Sequence, residues 1–390
     1  MNRADKAGRK GRGRYRFHPG DYAVGENEAF YAVQAAKGWR LEKRGAHLSR
    51  FRKEAPQALT YRIEYSAPAF LEEQDLPAAQ VELYKDCGWE LAAHHGLVHV
   101  FCAPDSRRAP ELYTTPEQQA AALKGLRRSY RGGWLALFLV IGLCLILAAV
   151  QPGYVGKGIA ELRLNLVRAT ALILFYGCFL LWGLYQMTYA TVRTTLLYHR
   201  LKRGEPLEHG VRKKRWAHRS ISGLLLGLCI LLALLTAVQL LGTRQRDMPD
   251  AADGPYLLCS DLGLDGPRRD APFFGDSCEV EVSRSLLAKQ WNTREFVSAG
   301  DDWAALYQDF YEFRTPAQAQ AFAPVLMETS ALARSASSFT AVKAKGLDAA
   351  YRADREFLAV TGNLVCSITL IWTGSGELDI FSVLAEKLRT

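Results

Sequence analysis

Three runs of the chain lack any charged side chain: residues 132–150 (GGWLALFLVIGLCLILAAV), 170–189 (TALILFYGCFLLWGLYQMTY) and 221–241 (ISGLLLGLCILLALLTAVQLL). Each has the roughly 20 residues that a helix needs to cross about 30 Å of hydrocarbon, so the pattern predicts three transmembrane helices. The competing reading, a buried helix in a large soluble core, does not require three such runs with basic flanks.

Outside these runs the hydrophobic period changes. Between about 15 and 113 a pattern repeats approximately every 50 residues, anchored on Gly38-Trp39-Arg40-Leu41 and Gly88-Trp89-Glu90-Leu91. Amphipathic helices are predicted over 26–37 and 77–86, each ended by a glycine suited to a left-handed cap. Period-2 runs over 15–18, 39–43, 47–52, 59–65, 89–93 and 97–102 predict strands. The expected unit is strand, helix, strand, strand, occurring twice. Pairing the units into one antiparallel sheet with both helices on one face would bury what each half leaves wet.

After the third apolar run, a polar stretch over 242–254 reads as a linker to a second soluble region, 255–390. There 316–332 predicts a helix capped by Thr315, and 349–352, 356–361 and 364–372 predict successive antiparallel strands with a turn at Thr361-Gly362-Asn363. Residues 376–388 predict a closing amphipathic helix. The aromatic-rich stretch 303–313 fits neither period. The fold class is therefore an α+β membrane protein: a duplicated βαββ domain over 15–125, helices at 132–150, 170–189 and 221–241, and a C-terminal α+β domain with an antiparallel sheet.

Charge orients this arrangement. Residues 190–220 carry nine cations against Glu205 and Glu208, whereas 151–168 hold Lys157, Arg163 and Arg168 with Glu161. Short basic loops stay in the cytoplasm, so the N-terminus is expected inside a bacterial cell membrane and the C-terminus outside it. Residues 251–390 have 13 Lys+Arg and 19 Asp+Glu, net −6; the other 250 carry +15, completing the overall +9. The arm 1–14, with six cations and one acid, is expected to be disordered. A solvated tail, attachment to anionic headgroups and nucleic-acid contact are its three readings; no nucleic-acid partner is expected for the chain.

The helix–GW–L pattern, the TYRIEY strand, ELYKDCGWE, and VHVF leading to ELYTTPEQQ resemble the bacterial domain-of-unknown-function family 2812 over about 15–125. The resemblance implies a soluble N-terminal domain on a membrane protein and carries no catalytic residues. The doubled unit is also similar to small-molecule-binding regulatory domains of the GyrI-like type.

Candidate chemistry is sparse. Trp39 and Trp89, at equivalent strand starts, either line a cleft for an apolar or aromatic ligand or pack the helices onto the sheet. His94, His95, His99 and Cys102 are imidazoles and a thiol of the kind that bind zinc, but no second pair stands at ligand spacing, so no metal and no cofactor is expected. Asp301, Asp302 and Asp309 form either a solvated face or a weak cation site. Outside the membrane, Cys259 and Cys278 are candidates for a disulfide, leaving Cys366 as a buried thiol. No phosphate loop, nucleophile elbow or zinc helix occurs. The sequence thus points to a non-enzymatic sensor or regulator with a small-molecule ligand or an unknown protein partner besides the lipid bilayer; the alternative is an accessory or assembly subunit of an envelope transporter or membrane enzyme complex.

Overall fold

The structure, a computed structural model, describes residues 13–66, 76–104, 115–150, 152–207, 216–269, 278–299, 302–330, 332, 336–374 and 378–389. Most of the basic arm, residues 1–12, and Asp301 lie outside them. The chain divides into two compact units, one of residues 1–144 and 181–223, the other of 145–180 and 224–390.

In the first unit β1 (Arg14–Phe17), α1 (Val24–Ala36), β2 (Trp39–Arg44) and β3 (Leu48–Lys53) are followed by β4 (Thr60–Tyr65), α2 (Ala78–Asp86), β5 (Glu90–His95) and β6 (Val98–Ala103). The order strand, helix, strand, strand thus occurs twice. The strands, however, form two three-stranded antiparallel sheets, β1-β3-β2 and β4-β6-β5, where one sheet was expected. Between β2 and β5 an Arg40–Glu90 ion pair (2.6 Å) replaces a backbone ladder. Gly38 and Gly88 close the two helices at φ 76° and 89°, values a side chain disfavours.

Both halves need further cover, and long helices supply it. α3 (Pro116–Val150) and α5 (Thr170–Lys202) each extend beyond the apolar run that the sequence marks. Ala120, Leu123 and Leu126 of α3 and Leu201 of α5 are buried in one cluster with Tyr31, Phe51, Tyr61 and Val100. Much of the basic stretch 190–220 is therefore helix, with Leu197 and Leu201 spaced to face the domain. Residues 208–215 of it lie outside the described residues.

In the second unit residues 152–168 are also helical, as α4 (Pro152–Arg168), and α6 (Trp216–Gly242) precedes its remaining elements in the chain. Three helices, within Pro116–Ile146, Thr170–Lys202 and Ala217–Gly242, are long and apolar enough to cross a membrane. The remaining elements are β7 (Arg244–Asp247), β8 (Glu279–Arg284), β9 (Ala288–Ala299), β10 (Asp302–Phe313), α7 (Pro316–Glu328), β11 (Thr340–Val342), β12 (Ala349–Ala353), β13 (Glu356–Thr361), β14 (Leu364–Trp372) and α8 (Ile380–Lys387). One eight-stranded antiparallel sheet takes the order β11-β12-β13-β14-β10-β9-β8-β7.

The polar stretch 242–254 is thus not wholly a linker, since β7 pairs with β8 from Arg244↔Val282 to Asp247↔Glu279. All four β7 side chains are exposed, so the strand left no hydrophobic alternation to read; charged side chains suit a sheet edge. The stretch 303–313 is strand β10, bonded to β9 and β14. One face of the sheet, including Leu306, Phe310, Cys366 and Ile368, packs under α8 and the 256–262 segment. On the other face Tyr311, Phe313, Leu358, Val360 and Val365 pack against α7 and against Leu164 and Val167 of α4.

Candidate functional site

The α4-covered face of the large sheet changes character along the strands. Beyond Tyr311 and Leu358 the inward positions turn polar. Register places Asn292, Asp309 and Ser367 in one cross-strand row, and Arg294, Tyr307, Thr369 and Glu356 in the next. These rows floor a cavity of about 510 Å³, roofed by Glu161, Leu164 and Arg168 of α4 and walled by Leu326, Thr329 and Ser330 at the end of α7.

Arg168 is the key residue here. As the last residue of α4 it directs its guanidinium onto the floor, donating from Nε to the Tyr311 hydroxyl (2.7 Å) and from Nη2 to Asp309 Oδ2 (2.9 Å). Asn292 Nδ2 donates to the other Asp309 oxygen at 2.6 Å. Burial, and then the Asp309 carboxylate, push the Tyr311 hydroxyl upward, so it stays protonated. The Arg168 carbonyl meanwhile accepts from Gln239 Nε2 of α6 (2.7 Å) and Gln290 Nε2 of β9 (3.2 Å). Gln290 also donates to the Val167 carbonyl at 3.1 Å. One residue therefore joins the cavity floor, the sheet, the start of α5 and the end of α6. Glu356, 2% exposed, accepts from the Ser330 hydroxyl and from the Leu332 N–H.

In the first unit, a buried ionic network lies at the start of α1. Arg44, 1% exposed, donates to Asp21 Oδ1 (2.6 Å), to Asn27 Oδ1 (3.4 Å) and to the Tyr31 hydroxyl. A cavity of about 330 Å³ adjoins it, lined by Tyr22 to Glu26, by Arg193 and Arg200 of α5, and by Glu205. Beside it His218 stacks on Tyr189 and is hydrogen-bonded by the Tyr22 and Tyr185 hydroxyls at 3.2 and 3.0 Å.

Residues 24–137, which hold Arg44, Asn27 and Tyr31 of this network, match the family described as Protein of unknown function (DUF2812). The N-terminal domain is a DUF2812 domain. The match runs past the last strand into α3, in keeping with the α3 side chains buried in that core. No curated protein and no solved structure matches the chain.

Within the DUF2812 domain, the two tryptophans have different surroundings. Trp89 is 3% exposed, packed with Leu76, Tyr84 and Phe101 between α2 and its sheet. Trp39 is half-buried beneath the cations of Arg14 and Lys53, at 5.4 and 4.9 Å. A cleft of about 210 Å³ does lie between the equivalent strands, but Arg40, Arg52, Glu54 and Glu90 line it together with Leu41 and Leu91, and neither tryptophan does. His94 stacks on His99 across β5 and β6, and Cys102 lies under Arg40. No metal-binding group of three such side chains occurs among the described residues.

In the eight-stranded sheet, Asp302 and Asp309 stand on opposite faces of β10, Asp302 beside Thr373 and Asp309 under Arg168. Cys259 and Cys278, the expected disulfide pair, are both free thiols in the structure, with Cys259 buried in the cluster against which Cys278 packs. Burial, then the neighbouring Glu295 carboxylate, push the Cys259 thiol up. Sequence reasoning missed Arg168 and Arg44 as site residues, because each looks like one more surface cation until the partner strands are placed.

Proposed function

We propose that this is a non-enzymatic membrane sensor, its C-terminal domain outside a bacterial cell membrane and its DUF2812 domain in the cytoplasm. A small ligand entering the outer cavity alters the hold on Arg168, and α5 and α6 carry that change inward. The supporting observation is the double attachment of Arg168: its side chain belongs to the cavity floor, while its carbonyl is held by Gln239 and Gln290 where α5 begins. The strong excess of cations in 190–220 supports the orientation. The repeated element order supports an ancient duplication within the DUF2812 domain. α5, continuous from Thr170 to Lys202, ends with Leu201 in the DUF2812 core and Arg200 at its cavity.

The test is hydrogen exchange on the full chain in lipid nanodiscs, comparing wild type with Arg168→Gln. The ion pair is partly solvated, Arg168 being 39% exposed, so its loss is worth only about 1 kcal/mol. Exchange should quicken around Arg168, and protection should also change several-fold over 24–36 and 193–207. A response confined to the outer unit refutes coupling. Recovery of a stoichiometric membrane partner would then favour the accessory-subunit reading.

A further inference from the structure

We propose that the outer cavity is a saccharide site, taking a neutral, polyhydroxylated ligand of about disaccharide size; this rests on reading that cavity as the ligand site. At about 510 Å³ it falls within the range of small-molecule pockets. Its charges are already spoken for. Arg168 is paired with Asp309 at 2.9 Å, Arg294 lies 3.9 Å from Glu279, and Glu356 is bonded by Ser330 and Leu332. With two arginines and three carboxylates around it, an anionic ligand would meet net repulsion. A metal cation is disfavoured too, because the carboxylates do not converge in any described group of three ligating side chains.

Paired charges remain good planar hydrogen-bonding groups. A carboxylate held by one arginine keeps acceptor lone pairs, and a guanidinium has five N–H donors. The hydroxyls of a polyol both donate and accept, so they match such a surface without needing a countercharge. Ser367 and Thr369 add hydroxyls at neighbouring inward positions of β14.

The floor then becomes aromatic. Tyr307 lines the cavity and also packs in the next cluster along the same sheet face, where buried Phe296 backs half-buried Trp303. Phe296 and Trp303 are stacked with centroids 5.6 Å apart. A pyranose ring has an apolar C–H face and a rim of hydroxyls. An aromatic strip running into a row of planar polar side chains is complementary to both. A zwitterionic amino acid would use the polar row and leave the strip idle.

The experiment incubates the full chain, in fluorescent nanodiscs, with an array of immobilised neutral, acidic and amino-bearing glycans. Retention on neutral glycans is expected, falling at least tenfold in Tyr307→Ala and in Asn292→Ala. Tyr307→Phe, which keeps the ring, should retain most binding, as should Lys387→Ala, whose ion pair with Asp261 lies under the opposite face. Failure to retain any neutral glycan, retention only on charged glycans, or retention unaffected by both cavity variants each overturns the saccharide proposal. The exchange response to Arg168→Gln uses no ligand, so it tests the sensor reading separately.

Discussion

Arg44→Ala should loosen the DUF2812 domain from inside. Truncation removes the donor to Asn27 Oδ1 and to the Tyr31 hydroxyl, and removes the partner of Asp21. Breaking a fully buried pair costs about 3–5 kcal/mol. Here Asp21 is one-third exposed and can rehydrate, while Tyr31 keeps the Ser49 hydroxyl at 3.3 Å, so the lower end, about 3 kcal/mol, applies. That corresponds to a roughly 10²-fold loss of protection for the amides of α1, β2 and β3, read by hydrogen exchange on the full chain in nanodiscs. Arg44→Lys keeps the charge without the fork and should lie between. A loss below about threefold would show that the network contributes little, and an equal loss in the eight-stranded sheet would show a global effect instead.

The same variant bears on pH. His18 is held below its ordinary pKa first by burial and then by the Arg44 charge. A depressed histidine contributes stability that is complete above the unfolded value, about 6.5, and lost as pH falls through the folded one. Removing Arg44 should therefore raise the His18 midpoint in a selectively labelled NMR titration.

The remaining predictions test geometry. Cys366 is buried with its thiol pushed up to about 12, so at pH 8 it should resist alkylation until the protein unfolds, whereas exposed Cys87 reacts at once. Gly38→Ala would put a Cβ 2.7 Å from the Glu54 carbonyl at φ 76°, and should cost at least about 1 kcal/mol, seen as faster exchange at the end of α1. Asp379 caps α8, its carboxyl held below the usual range by Ser382; this stabilisation is complete above the ordinary carboxylate pKa and lost as pH falls through the lowered one, so the protection factors of the α8 amides, corrected for intrinsic exchange, should be smaller at pH 3 than at pH 5, and Asp379→Ala should remove the difference.

Much of the architecture was legible because it rests on period and length. The three apolar runs, the strands at 349–353, 356–361 and 364–372, and the Gly-Trp turns each declare themselves within about ten to twenty residues. What was not legible depends on partners distant in sequence. α4 looked like a short loop because Leu164 and Val167, two of its buried side chains, gain their meaning only against Tyr311 and Leu358. The two sheets of the DUF2812 domain were read as one, since identical strand patterns carry no record of whether β2 and β5 meet through backbone bonds or through Arg40 and Glu90.

β10 shows why the cavity of the eight-stranded sheet was the hardest part to read. On one face it presents Leu306, Gln308 and Phe310; on the other, Trp303, Ala305, Tyr307, Asp309, Tyr311 and Phe313. Apolar side chains on both faces erase the period-2 signal, and Asp309 interrupts the run that would otherwise read as a buried central strand. A sheet covered on both faces has no structural need of that interruption. Leucine there would pack as Leu358 does, whereas Asp309 requires Arg168 and Asn292 to satisfy it, and lines the cavity of about 510 Å³ beside α4. Retaining a polar row between two apolar clusters departs from local consistency, and such departures concentrate where function constrains the residue. The irregularity that defeats pattern reading at 303–313 is thus itself the sequence trace of the cavity.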